Sequence, residues 1–297
     1  MHYTVIQRII GQLLALFSIT IIPPLLISFL YHENETKAFL DSYLFLIISG
    51  ILLWLPVRKV KPDLRLRDGF LVVVLFWFIL GASGALPLIL YDSLNISISD
   101  AAFESVSALT TTGATVLVGL DTLPHSVLFY RQELQWLGGM GIIVLAVAIL
   151  PMLGIGGMQL YRAETPGPIK DSKLTPRIAE TAKTLWYIYV ILTLICIAAY
   201  WLAGMSLFDA VAHAFATVST GGLSTHDASI GYFDSVWIET IAIIFMALGG
   251  VNFGLHFTAL KHRSIRSYFQ DTEFRAYILI LTTVTFICVS YLLLSGY

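Results

Sequence analysis

Two stretches of this chain repeat each other in register, 109 positions apart, and each ends in a Thr/Gly-rich turn. Ser97-Ile98-Ser99-Asp100-Ala101 leads to Thr111-Thr112-Gly113-Ala114-Thr115, and Ser206-Leu207-Phe208-Asp209-Ala210 leads to Thr220-Gly221-Gly222-Leu223-Ser224. Ser97 aligns with Ser206, Asp100 with Asp209, Thr111 with Thr220 and Gly113 with Gly222, all without a gap. Both copies lie between long apolar segments. That leaves few folds open, because a repeated Thr-Gly turn at membrane depth is a way to set successive backbone carbonyls around an ion.

A soluble domain carries about 25% charged residues. Here charged residues are 12%, hydrophobic residues 57% and mean hydropathy +0.83, so the chain reads as a polytopic membrane protein. Its two cysteines, Cys196 and Cys288, both sit inside apolar runs, which excludes a disulfide framework or thiolate metal site as the organising feature. The run from Ile9 to Tyr31 follows Arg8 and lacks a small-residue cleavage site, so it is expected to stay as a first helix.

Segments long enough to cross about 30 Å occur at roughly 4–30, 38–56, 69–91, 126–152, 184–204, 235–260 and 274–296, which predicts seven spans. Two helical stretches, about 97–110 and 206–219, would reach only about 20 Å at about 1.5 Å per residue. These end in the Thr-Gly turns, and a short helix plus turn between two spans predicts a re-entrant loop that lines a cavity. All but two of the 17 basic residues, Lys37 and Arg131, fall on one side of this topology. That side is cytoplasmic by the positive-inside rule, and so is the N-terminus. The outer side carries 12 of the 19 acidic residues and should concentrate cations.

The expected organisation is a two-span lead (1–60), a pore repeat at 68–160 with its turn at 110–115, a second at 175–262 with its turn at 219–224, and the first span of a third unit at 270–297. The connector Ala163-Glu164-Thr165-Pro166-Gly167-Pro168 separates the two repeats. A ring built this way needs four turns, so residues 1–297 are expected to need further repeats in order to conduct.

Ser97-x-x-Asp100 and Ser206-x-x-Asp209 match capping boxes, which start each short helix and place its partly negative C-terminal end at the turn. Gly113 and Gly222 permit a positive φ, and Thr111, Thr112 and Thr220 can add hydroxyl oxygens. These hard, neutral oxygens suit an alkali cation and not zinc or copper. Tight helix packing is the alternative reading of such glycines, and it applies directly to Leu137-Gly138-Gly139 and Leu248-Gly249-Gly250, 111 positions apart on the following spans. Arg131 is expected to snorkel to the outer face, with Glu104 or Glu133 as alternative partners. His213, His226 and Asp227 straddle the second turn without metal-ligand spacing and are expected to fill ordinary helix and loop roles.

At these residues the chain resembles the Trk/Ktr/HKT superfamily of potassium transporters, most closely the bacterial TrkH-type pore subunits. The matching motifs are TTTGAT at 110–115, GGMGI from Gly138, GMQLYRAETPGP at 157–168, RIAETAKTLW at 177–186 and GGLSTHDASIGYFDS at 221–235. The resemblance implies an all-α membrane protein of potassium-channel-like span–pore loop–span units, with K+ at filter carbonyls and no other cofactor. By position, those ion-binding residues are Thr111, Thr112, Gly113, Thr220, Gly221 and Gly222. The resemblance also implies a homodimer in the bacterial inner membrane and a cytosolic nucleotide-binding TrkA-type regulatory subunit. The reading is therefore K+ uptake, with no enzyme activity and no nucleic-acid partner. The rival is a cation-coupled secondary transporter with broken helices at the midplane; the absence of an evident buried Asp/Glu pair at mid-span weighs against it.

The charge pattern makes a direct prediction. In a background lacking Cys196 and Cys288, single cysteines at Ser93 and Ser229 should label from outside, and those at Ser172 and Ser264 only after permeabilisation. Outside labelling at position 172 in intact cells would overturn the topology.

Overall fold

The computed structural model describes residues 3–60, 66–141 and 175–295, with side chains at 66–70 and 175–182 left aside. Among the described residues all regular structure is helical. In chain order the helices are α1 (Tyr3–Ser18), α2 (Ile22–Leu30), α3 (Thr36–Trp54), α4 (Leu66–Gly84), α5 (Leu86–Ile89), α6 (Ile98–Leu109) and α7 (His125–Gly139). They continue with α8 (Thr175–Leu202), α9 (Leu207–Val218), α10 (Val236–Gly249), α11 (Phe253–His262), α12 (Arg266–Gln270) and α13 (Thr272–Leu294). Contacts divide the chain into two compact units, one ending at Met246 and one beginning at Ala247.

Five helical segments among the described residues are long and apolar enough to cross a membrane: Tyr3–Leu30, Thr36–Val57, Leu71–Ile89, Lys183–Leu202 and Thr272–Leu294. They answer five of the seven expected spans. The later part of the span expected at 126–152, and the connector at 163–168, lie outside the described residues. Over the span expected at 235–260 the chain makes two helices, α10 and then α11. Asn252 caps the second helix by accepting the Gly254 amide at 2.9 Å, which starts a new helix and ends the old one.

Why the first unit packs can be traced to small residues and hydroxyls. In the lead, α1 and α3 cross so closely that a Cβ on Gly11 would lie 2.7 Å from the Trp54 amide nitrogen, and one on Gly50 2.7 Å from that of Ala15. Only glycine allows backbones this near, and in a membrane such proximity is a main source of packing energy. Pro23 and Pro24 fall in the first turn of α2, where a missing N–H leaves no bond unmade.

Next, α4 ends with carbonyls that have no helical partner. Ser105 Oγ donates to Gly81 O at 2.8 Å and Tyr130 OH to Gly84 O at 2.9 Å, so α6 and α7 close the end of α4. Tyr189 OH on α8 donates to Trp136 O near the end of α7 at 3.0 Å, and Trp136 Nε1 donates to Thr193 Oγ1 at 3.0 Å. Each short helix is thus pinned beside longer ones, with its C-terminal end facing the turn that follows.

In the second unit, His256 bridges Tyr268 OH at 2.8 Å and Leu248 O at 3.0 Å, and Asp271 caps α13 by accepting the Phe274 amide. Among the described residues no side chain of α13 is fully buried, although Tyr277 OH donates to Ala247 O at 3.2 Å.

Candidate functional site: two Thr-Gly turns

Both short helices begin as the capping boxes require. Ser97 Oγ accepts the Asp100 amide at 3.1 Å and Ser206 Oγ accepts that of Asp209 at 3.0 Å, while each hydroxyl donates to the same aspartate's Oδ2. Both helices also end alike. Thr111 N–H bonds Ala108 O and Thr112 N–H bonds Ser107 O, at 3.0 and 2.9 Å; Thr220 N–H bonds Thr217 O and Gly221 N–H bonds Ala216 O, at 3.1 and 2.9 Å. These paired bonds are a Schellman stop, which satisfies carbonyls that would otherwise be orphaned.

The stop needs a left-handed residue. Glycine is the usual choice, yet Thr111 and Thr220 fill it, each at φ 54°. A β-branched residue there costs on the order of 1–2 kcal/mol and persists only where its surroundings fix it. Gly113 at φ 73° and Gly222 at φ 88° repeat the agreement two residues later. The 109-residue sequence repeat is therefore also a repeat of backbone conformation at these positions.

The six candidate residues fall into two touching groups. A Cβ on Gly113 would lie 1.8 Å from the carbonyl oxygen of Gly221, so the two turns meet backbone to backbone. Gly221 in turn lies against Gln135 of α7, and a Cβ there would come within 2.4 Å of its amide. Among the described residues nothing lies within 4 Å of a Cβ on Gly222. The Thr112 hydroxyl bonds that of Thr110 at 2.8 Å and the Thr220 hydroxyl donates to Ser219 O at 2.7 Å. The glycines of α7 do what close packing predicts: a Cβ on Gly138 would lie 1.9 Å from Leu109 O, and one on Gly139 2.8 Å from Ser219 Cβ.

Behind the turns sits a buried polar layer. Arg131 does not snorkel: it is fully buried, with Nε 2.5 Å from Glu104 Oε1 and one terminal nitrogen donating to Thr115 Oγ1 at 2.8 Å. The reason is the carboxylate waiting there, since Glu104 is also fully buried and no charge can be left alone at such a depth. Glu104 further accepts the Val116 amide at 3.1 Å. Gln135 Oε1 accepts the Leu223 amide at 3.2 Å, so α7 holds the second turn as well.

Outside the turns, His226 donates to Asp121 Oδ1 at 2.5 Å, lies 3.4 Å from Asp209 Oδ1 and stacks on Tyr232 with ring centres 3.5 Å apart. That hydrogen bond holds the Asp121 carboxyl below the usual carboxylate range. A depressed carboxyl stabilises the fold above its unfolded value and loses that contribution as the pH falls through the folded one. His213 bonds Ser224 Oγ and Asp209 O, each at 2.9 Å, and so fills a helix-and-loop role.

A family model described as TrkH, cation transport protein, matches residues 35–295. The chain belongs to the TrkH cation transport protein family. It is 59% identical over 288 residues to the Trk system potassium uptake protein TrkH of Escherichia coli strain K12, covering 97% of this chain and 60% of that one. Against the TrkH of Vibrio parahaemolyticus the identity is 57% over 290 residues, again 97% and 60% of the two chains. The crystal structure of the potassium transporter TrkH from Vibrio parahaemolyticus superposes with a TM-score of 0.86 at 52% identity, over 99% of this chain and 60% of that one. The chain thus spans about 60% of the length of these TrkH relatives. It is a multi-pass membrane protein, all-helical throughout its described residues.

Sequence reasoning passed over Gln135, and it took Glu104 only as one of two partners for Arg131. The first carries no motif and gains meaning only through its contact with Gly221. The structure separates the turn glycines by what surrounds them. Gly113→Ala must accept both a disfavoured φ and a collision with the Gly221 carbonyl, whereas Gly222→Ala meets only the first, about 1–2 kcal/mol. Thermal unfolding in detergent should show the larger loss for Gly113→Ala; equal losses would contradict the contact between the turns.

Proposed function

We propose that this chain forms two pore repeats, 68–160 and 175–262, of a K+ uptake pathway in the bacterial inner membrane, with the lead at 1–60 and a third repeat beginning at 270–297. The backbone carbonyls of Thr111, Thr112, Gly113, Thr220, Gly221 and Gly222 face the ion. The observation that carries this reading is the double turn: two stops with threonine at φ 54° and glycine two residues on, touching through Gly113 and Gly221. Each turn receives the negative end of a capped helix, which favours a cation. The curated relatives are named potassium uptake proteins, and the solved relative a potassium transporter. On this reading the N-terminus is cytoplasmic, the assembly is a homodimer, and a cytosolic TrkA-type nucleotide-binding subunit regulates it. The chain supplies a path and a coordination shell, with no group in a catalytic role.

One observation favours the rival, a coupled transporter. Glu133 is 6% exposed on α7 and its Oε2 has no hydrogen-bond partner among the described residues, which is how a proton-carrying carboxyl would present itself. Flux separates the two. With the chain completed by the C-terminal part of the Vibrio parahaemolyticus relative and reconstituted in proteoliposomes, K+ entry should exceed Na+ entry and persist in Glu133→Gln without a pH gradient. Flux that requires a proton gradient and disappears in Glu133→Gln would establish coupling instead.

A further inference from the structure

The 109-residue repeat aligns more than the turns. It places Glu104 over His213, each seven residues after its capping serine, and Thr115 over Ser224, each two residues after the turn glycine. These pairs make the same bond. Thr115 Oγ1 donates to Glu104 at 2.9 Å. Ser224 Oγ lies 2.9 Å from His213 Nε2, and His213 Nδ1 lies 2.9 Å from the carbonyl oxygen of Asp209. A carbonyl can only accept, so Nδ1 carries the proton, and in a neutral ring Nε2 must accept from Ser224. In both repeats a hydroxyl on the strand leaving the turn donates to a buried acceptor on the short helix.

The two acceptors differ in charge, and their surroundings differ to match. Glu104 brings a buried negative charge, and Arg131 answers it at 2.5 Å. The 111-residue spacing of the Gly-Gly pairs places Arg131 over Ala242, which is buried at 4% exposure. The second repeat has a neutral acceptor and needs no counter-charge. Glu with Arg in one repeat is replaced by His with Ala in the other, and the electrostatics balance in each. Arg131 also makes a long bond, 3.5 Å, to Ser224 O, so one guanidinium touches the strands leaving both turns.

We propose that Glu104 and His213 are equivalent positioning residues, each fixing the strand that leaves its turn and thereby the ion selectivity of that turn, with Arg131 as the counter-ion required by the carboxylate version. The proposal rests on the pore reading given above. Four variants of the completed chain test it: Arg131→Ala, Arg131→Ala/Glu104→His, His213→Ala and His213→Gln. The measurements are the K+/Na+ uptake ratio in proteoliposomes and the unfolding temperature in detergent.

Arg131→Ala alone should unfold at a markedly lower temperature, because it strands a buried carboxylate. The double variant copies the second repeat and should recover most of that loss together with K+ preference. His213→Ala should lower the uptake ratio about tenfold, the size of the lost hydrogen bond to Ser224, while the folded protein is retained. His213→Gln, which keeps an acceptor, should stay near the parent. A double variant no more stable than Arg131→Ala, or His213→Ala with the parent's selectivity, would overturn the proposal. If the unaltered chain shows no K+ preference, the pore reading fails; thermal recovery in the double variant then decides the equivalence of the two acceptors, since it needs no transport.

Discussion

A peptide group in the interior of a bilayer has no water to bond, and each one left unpaired there costs several kcal/mol. An irregular turn at that depth can exist only if every backbone group is either bonded within the protein or aimed at something that replaces water. Both Thr-Gly turns begin to meet the first condition with the same pair of closing bonds onto their helices. The strand that leaves each is then held from behind: Val116 N–H by Glu104, and Leu223 N–H by Gln135. On the reading proposed above, the carbonyl oxygens of the turns take a dehydrated cation in place of water.

Once the turns are fixed, much of the first unit serves to keep them close. Helix α7 reaches both, through Gly138 against Leu109 and Gly139 against Ser219, and it carries Arg131 and Gln135. The Asp121–His226 bond joins the loop after the first turn to the loop after the second. Threonine in the left-handed region, twice, is strain that this packing must sustain. Its recurrence at the same place in both copies argues that the conformation itself is required.

Much of this was legible in the sequence because the repeat is local. The capping serines, the short helices and the turn glycines each depend on neighbours within a few residues, and the structure places them as expected. Snorkelling was expected of Arg131 ahead of pairing with Glu104 or Glu133, because the choice is decided by what lies across a helix interface, and Glu104 is 27 residues away. The break at Gly250–Asn252 was missed because a run of apolar residues hides a capping asparagine. Gln135 is invisible to any motif, since its role exists only once the two turns have met. The equivalence of Glu104 and His213 could have been read from the 109-residue spacing, but the two residue types differ so much that only their shared bond makes it evident.

The central claim is that the two turns together coordinate a cation. Anomalous scattering from crystals of the completed chain grown in Tl+ or Rb+ tests it without relying on flux. The account predicts a peak against the carbonyl oxygens of Thr111–Gly113 and Thr220–Gly222. A map with no peak at the turns, while the heavy cation is bound elsewhere in the same crystal, would contradict it.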